Sequence, residues 1–145
     1  MLALMMTNQQ GEFMTFQYIK NNPRTIDNEL NDCVVRALSL SFNIEYPRVH
    51  EICAKAGRKP RRGMSRTQTN QVIKQITGKP SAEMDKLPRG GRQTLATFAR
   101  DNNKGKWVVI KRGHAVALID GVYHDNCTTD KGLPRSLVQC YYRAS

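Results

Sequence analysis

Residues 113–125 read Gly113-His114-Ala115-Val116-Ala117-Leu118-Ile119-Asp120-Gly121-Val122-Tyr123-His124-Asp125. Two short apolar runs flank an Asp-Gly pair, the strongest short-range signal for a β-hairpin closed by a type I′ turn. With Asp120-Gly121 as a two-residue loop, Ile119 faces Val122 and every facing pair of positions sums to 241. His114 then faces Cys127, and Val116 faces Asp125. Facing residues share one side of a sheet, so His114 and Asp125 become diagonal neighbours, roughly 6–8 Å apart at Cβ. His124 pairs with Ala117 and points to the other face, as does Asn126. A one-residue bulge would reverse this parity and bring Asn126 to the histidine.

Working outward, Trp107–Lys111 reads as a strand before the hairpin, and Leu137–Tyr142 as one after it. Residues 15–19 also look extended. Between them the apolar spacing becomes helical. Val34, Ala37, Leu38 and Phe42 mark a first helix with Asn31 or Asp32 at its N-cap and Cys33 in its first turn. Pro47 opens a second helix that ends before Gly57. A third spans about 66–77 and stops at Gly78; a fourth covers about 94–100. Residues 78–92 read as loop. Helices first and an antiparallel sheet afterwards make an α+β fold. Residues 15–145 form one domain, and residues 1–14 read as an N-terminal extension, disordered or lying upstream of a start at Met14.

The chain has 145 residues, 23 of them Lys or Arg and 12 Asp or Glu, for a formal charge of +11. At 39% apolar residues it can build a core. No apolar run is long enough to cross a membrane, and Met1–Met6 lacks a basic n-region, so the reading is a cytoplasmic protein that is not secreted. Excess positive charge attracts nucleic acid or an acidic protein without choosing between them. Six cations fall in residues 55–66 with no acid: Lys55, Arg58, Lys59, Arg61, Arg62 and Arg66. Arg58, Lys59, Arg61 and Arg62 are the candidates for gripping a carboxylate or phosphate. No aromatic lies between positions 47 and 97, which argues against a stacking platform for single strands.

The four cysteines, Cys33, Cys53, Cys127 and Cys140, include no C-x-x-C pair. Zinc or redox motifs are therefore unsupported, and no metal or cofactor is implied. Cys33 differs from the others by its place at a helix start, where free N–H groups and the helix dipole favour a thiolate. A nucleophilic thiol needs a base, and the base an orienting group. His114 and Asp125 supply both; Cys127 is a rival thiol without a helix start. His50, on the second helix, reads as a surface residue.

Asn31-Asp32-Cys33 opening a helix, followed by Gly113–Gly121 and Tyr123-His124-Asp125, resembles the papain-like cysteine peptidase superfamily, and most nearly the small papain-like proteins of bacteriophage genomes, which also carry a basic segment like Gly57-Arg58-Lys59-Pro60. The resemblance covers about residues 25–127. It implies an N-terminal helical lobe of about four helices packed on a C-terminal antiparallel sheet. It also implies a phage-encoded cysteine hydrolase (peptidase, isopeptidase or amidase) with Cys33, His114 and Asp125 as a triad, acting in the host cytoplasm on a protein or peptide substrate of acidic character. One departure stands out. The family has a Gln several residues before the Cys, whereas here Asp27 stands six before Cys33 and no Gln lies between. Asn31, with the Cys33 N–H, would replace it as oxyanion donor. A non-catalytic basic protein on the same scaffold, binding nucleic acid through loop 55–66 or an acidic host protein, is the alternative. A cell-wall amidase of the small Cys/His kind is a rival within the enzyme class.

Overall fold

The computed structural model describes residues 2–7, 13–87, 92–126 and 133–145. In chain order the elements are β1 (Leu2–Thr7), β2 (Phe13–Lys20), α1 (Cys33–Phe42), α2 (Tyr46–Lys55), α3 (Arg66–Thr77), β3 (Asp85–Lys86), α4 (Leu95–Asp101), β4 (Lys106–Lys111), β5 (His114–Ile119), β6 (Val122–Asp125), a 3-10 turn at Leu133–Arg135, and β7 (Val138–Arg143). The fold is α+β.

The hairpin forms with the expected register. Ile119 pairs with Val122, Leu118 with Tyr123 and Ala117 with His124, without a bulge. Asp120 and Gly121 both have positive φ, 47° and 81°, as a type I′ turn demands. The turn is also tied down from outside. The Gly105 N–H donates to Asp120 Oδ1 at 3.0 Å, and the Asp120 N–H donates to the Gly105 carbonyl at 2.9 Å. A Cβ on Gly121 would lie 3.3 Å from Asn103 Cβ, so both φ and space favour glycine here.

The sheet is mixed, not wholly antiparallel, and it is not confined to the C-terminal half. Its strand order is β1-β2-β6-β5-β4-β7-β3. β2 joins β6 in parallel, with Tyr18 opposite Tyr123 and Lys20 opposite Asp125. Parallel neighbours need a long crossover, and here the helices between β2 and β6 provide it. Residues 2–7, read from sequence as part of an extension, pair with β2. β3, inside the expected loop 78–92, is two residues long and exists through pairing with β7, too short to leave a sequence pattern.

Helices cover both faces. Val108 and Ala115 face α1, α2 and α3 in one core with Val35, Leu38, Val49, Ile52, Val72 and Ile73. Strand alternation sends Trp107, Val109, Val116, Leu118 and Tyr123 to the other face, where Leu95 and Phe98 of α4 cover them. The helical lobe is therefore split by the sheet. Burial on both faces explains why β4 and β5 read as nearly unbroken apolar runs.

The helix ends follow local chemistry. Ser65 and Gln68 form a capping box at α3, which closes on Gly78 in the left-handed region; Thr94 and Thr97 form another at α4. At α1, Asp32 takes the N-cap position but makes no side-chain cap bond. Leu38, wholly buried between α1 and the sheet, is a test of this core. Leu38→Ala is expected to cost about 2–5 kcal/mol of stability, read as a lower urea midpoint with an unchanged m-value.

Candidate active site

The loop that enters α1 and the open end of the β5–β6 hairpin meet at one corner. Cys33 is the first residue of α1, His114 the first of β5 and Asp125 the last of β6. His114 Nε2 lies 2.5 Å from Asp125 Oδ2. That leaves Nδ1 as the ring nitrogen not engaged by the carboxylate; Cys33, His114 and Ala115 line one cavity, and the imidazole and the Ala115 N–H both act to lower the Cys33 thiol. The three residues singled out from sequence thus form one line, with Asp125 hydrogen-bonded to His114 and His114 sharing a cavity wall with Cys33. The fourth described feature of that reading also holds, since His124 faces away from this line and contacts Asn21 Nδ2 at 3.0 Å. Cys127 lies outside the described residues.

Electrostatics separate the cysteines. Burial pushes Cys53 up to about 12 and also raises Cys140. Burial works against the Cys33 thiolate as well, but the His114 hydrogen bond, the Ala115 N–H and the charges of His114 and Arg36 outweigh it, and this thiol sits below its ordinary 9.0. His114 is raised to about 9 by its hydrogen bonds to Asp125 and Cys33, against the opposing effect of burial. Asp125, penalised by burial, is held below the usual carboxylate range by His114 and Tyr18. All three described cysteines are free thiols. Both shifts favour the charged forms, thiolate at Cys33 and imidazolium at His114.

Two supporting side chains escaped the sequence reading. The Tyr18 hydroxyl donates to Asp125 Oδ2 from the neighbouring strand. Arg36, on α1 one turn after Asp32, reaches Asp32 Oδ1 with Nε at 3.2 Å and Asp125 Oδ1 with Nη1 at 3.4 Å. Asp32 is wholly buried and also receives Arg24 Nε at 2.9 Å and the Tyr46 hydroxyl at 2.7 Å. The one available signal was Asp32 and Arg36 at i,i+4 spacing. Because Asp32 is turned to these partners, it leaves the first N–H groups of α1 uncapped. Among the described residues the N–H groups of Cys33, Val34 and Val35 have no hydrogen-bond partner.

The basic loop divides. Arg58 is buried, and its guanidinium makes two 3.0 Å bonds to Glu29, so it is a structural cation and not a free anion receptor. Glu29 also accepts the Arg61 N–H at 2.7 Å and contacts His50 Nε2 at 2.6 Å, and it is lowered to about 2, chiefly by Arg58. His50, expected at the surface, is thus a partner of a buried carboxylate. Lys59, Arg61 and Arg62 remain exposed. Asn31, exposed and at φ 54°, donates from Nδ2 to the Arg61 carbonyl at 3.1 Å, which links the approach to α1 with this loop.

A cavity of about 280 Å³ opens beside the line, walled by Cys33, Val34, Met64, Met84, His114 and Cys140 among others. Among the described residues no cluster of His, Cys, Asp and Glu could hold a metal ion, and no helix is long and apolar enough to cross a membrane. No protein-family model matches the chain, and the comparisons with curated proteins and with solved structures found no match.

Removing one partner from a buried ionic network leaves its counter-charges unpaired. Asp32→Ala is therefore expected to destabilise the fold by about 3–5 kcal/mol. Tyr46→Phe, which removes one bond to the same carboxylate, is expected to cost about 1.5–3 kcal/mol. Urea titrations of the two variants check the ranking.

Proposed function

We propose that this chain is a cysteine hydrolase, acting on a peptide, isopeptide or other amide bond through a thioester intermediate, on the papain-like pattern that its sequence resembles. The observation that supports this best is the Cys33–His114–Asp125 line, with the thiol lowered and the imidazole raised. Burial alone would drive both groups toward neutrality, so an arrangement that ionises both is unusual for packing cysteines and suits a nucleophile.

The steps follow from the geometry. The Cys33 thiolate attacks the carbonyl carbon, forming the S–C bond while the carbonyl electron pair moves to oxygen. The uncapped N–H groups at the head of α1 receive that oxyanion, with the second amide hydrogen of Asn31 as a further donor. His114 in its protonated form gives its proton to the leaving nitrogen as the C–N bond breaks. Water then attacks the thioester, His114 takes the water's proton, and the S–C bond breaks to free the acid. Asp125 holds the ring and its charge throughout. The basic loop walls the same cavity through Gly63 and Met64, which favours a role at the substrate over a separate nucleic-acid surface.

A peptide vinyl sulfone is expected to add its mass to the protein once, at Cys33. Cys33→Ala and His114→Ala should each abolish that labelling while the protein stays folded. Persistent labelling of folded Cys33→Ala would overturn the assignment. Asn31→Ala is expected to lower kcat by about 10²–10³ if its amide serves the oxyanion.

The pH profile has a defined sign. Cys33 is depressed, so thiolate persists below the ordinary thiol range; His114 is raised to about 9, so its proton is lost only above that. Turnover is expected to rise on the acid side with Cys33 ionisation and to fall as pH passes about 9. The stabilisation carried by protonated His114 is complete below its ordinary 6.5 and is lost as pH climbs through about 9. Melting temperatures of the native chain and His114→Ala, compared across that window, should converge at the alkaline end.

A further inference from the structure

The cavity beside Cys33 is smaller than those that enclose drug-sized ligands, which run from about 300 to 1,000 Å³. It has room for a substrate side chain. Val34, Met64, Met84 and Ile110 make its walls apolar. Among the described residues that line it none is acidic, and besides His114 the single charged side chain is Arg66.

Arg66 is exposed at the cavity and differs from three other arginines that ion pairs hold in place. Arg24, Arg36 and Arg58 are each paired with a carboxylate. Arg66 pairs with none among the described residues. It is the first residue of α3, and the Ser65–Gln68 capping box fixes the backbone it departs from. No acid lies in that first turn, so the guanidinium and the positive end of the helix dipole add their fields at one place. Arg66 and Cys140 line the same cavity, and the Arg66 charge opposes the burial that raises that thiol. An apolar sleeve with an unpaired planar cation beside it suits a short aliphatic stem that ends in a carboxylate.

The geometry points to an anion-selecting subsite: Arg66 receives the carboxylate of an aspartyl or glutamyl side chain on the group whose carbonyl Cys33 attacks. The substrate class is then an acyl donor with an acidic side chain. This rests on Cys33 being the nucleophile, as proposed above.

Iodoacetate and iodoacetamide test it, since they differ little in shape and by one negative charge. In both the thiolate displaces iodide, forming S–C as C–I breaks. Rates at Cys33, followed by mass spectrometry at pH 7 and low salt, give a ratio of anionic to neutral probe. Arg66→Glu is expected to lower that ratio about tenfold, the scale of a close charge at the edge of a protein. Lys79→Glu makes the same charge change just past the far end of the same helix, about 20 Å away, and should move the ratio less than about twofold, given screening over that distance. Arg66→Lys should keep most of it. Equal effects of Arg66→Glu and Lys79→Glu, with Cys33 still reactive, would overturn the subsite and leave the triad standing. A Cys33 slow toward both probes would overturn the nucleophile and the subsite together.

Discussion

One buried carboxylate organises this molecule. Asp125 is 5% exposed and accepts from His114 on β5, Tyr18 on β2, Arg36 on α1 and the Asn126 N–H. A lone ionised carboxylate in such a place would be costly enough to shed its charge. With four donors it stays ionised, and in doing so it fixes three elements against β6. The parallel junction of β2 with β6, the seat of α1 on the sheet and the tilt of the His114 ring all meet on these two oxygens. Stability and candidate chemistry are therefore inseparable here: the group that orients the imidazole also closes the fold.

Two further acids extend the same logic into chain that has no regular structure. Residues 21–32 lie between β2 and α1 without a helix or strand of their own. Asp32 binds this stretch to α1 and α2 through Arg24, Arg36 and Tyr46, while Glu29 binds it to the basic loop through Arg58, His50 and the Arg61 N–H. Among the described residues three acids, Glu29, Asp32 and Asp125, are thus internal, and each is matched by arginine or histidine. The interior comes close to neutral, so the surplus of +11 is carried outside.

Much of this was legible because the signals were local. Asp120-Gly121 specifies a turn, the turn specifies a register, and the register places His114 and Asp125 on one side. Cys33 at the head of α1 follows from helical spacing and the polar pair before it. What escaped was long-range. Tyr18 sits in a strand that was visible, but nothing local states that it lies parallel to β6. The apolar stripe of α4 shows which side of the helix is buried, not which face of the sheet it meets. Arg58 stands in a run of cations and reads as solvated, because its partner Glu29 lies 29 residues away in a polar stretch without periodicity. Asp32 looked like a cap because Asp commonly is one; its four polar contacts come from side chains whose approach only the folded chain defines.

That missing cap is also the step that joins fold to chemistry. Had Asp32 capped α1, its oxygens would have occupied the first-turn N–H groups and placed a negative charge beside Cys33, raising the thiol. Turned instead to Arg24, Arg36 and Tyr46, the same carboxylate is neutralised, and Arg36 is drawn to where it lowers Cys33 and meets Asp125. The helix start keeps its positive end open, and the charges of His114 and Arg36 both lower the Cys33 thiol. The charged forms of Cys33 and His114 then stabilise each other. The fold lowers the Cys33 thiol in part by where it directs a buried aspartate one residue away.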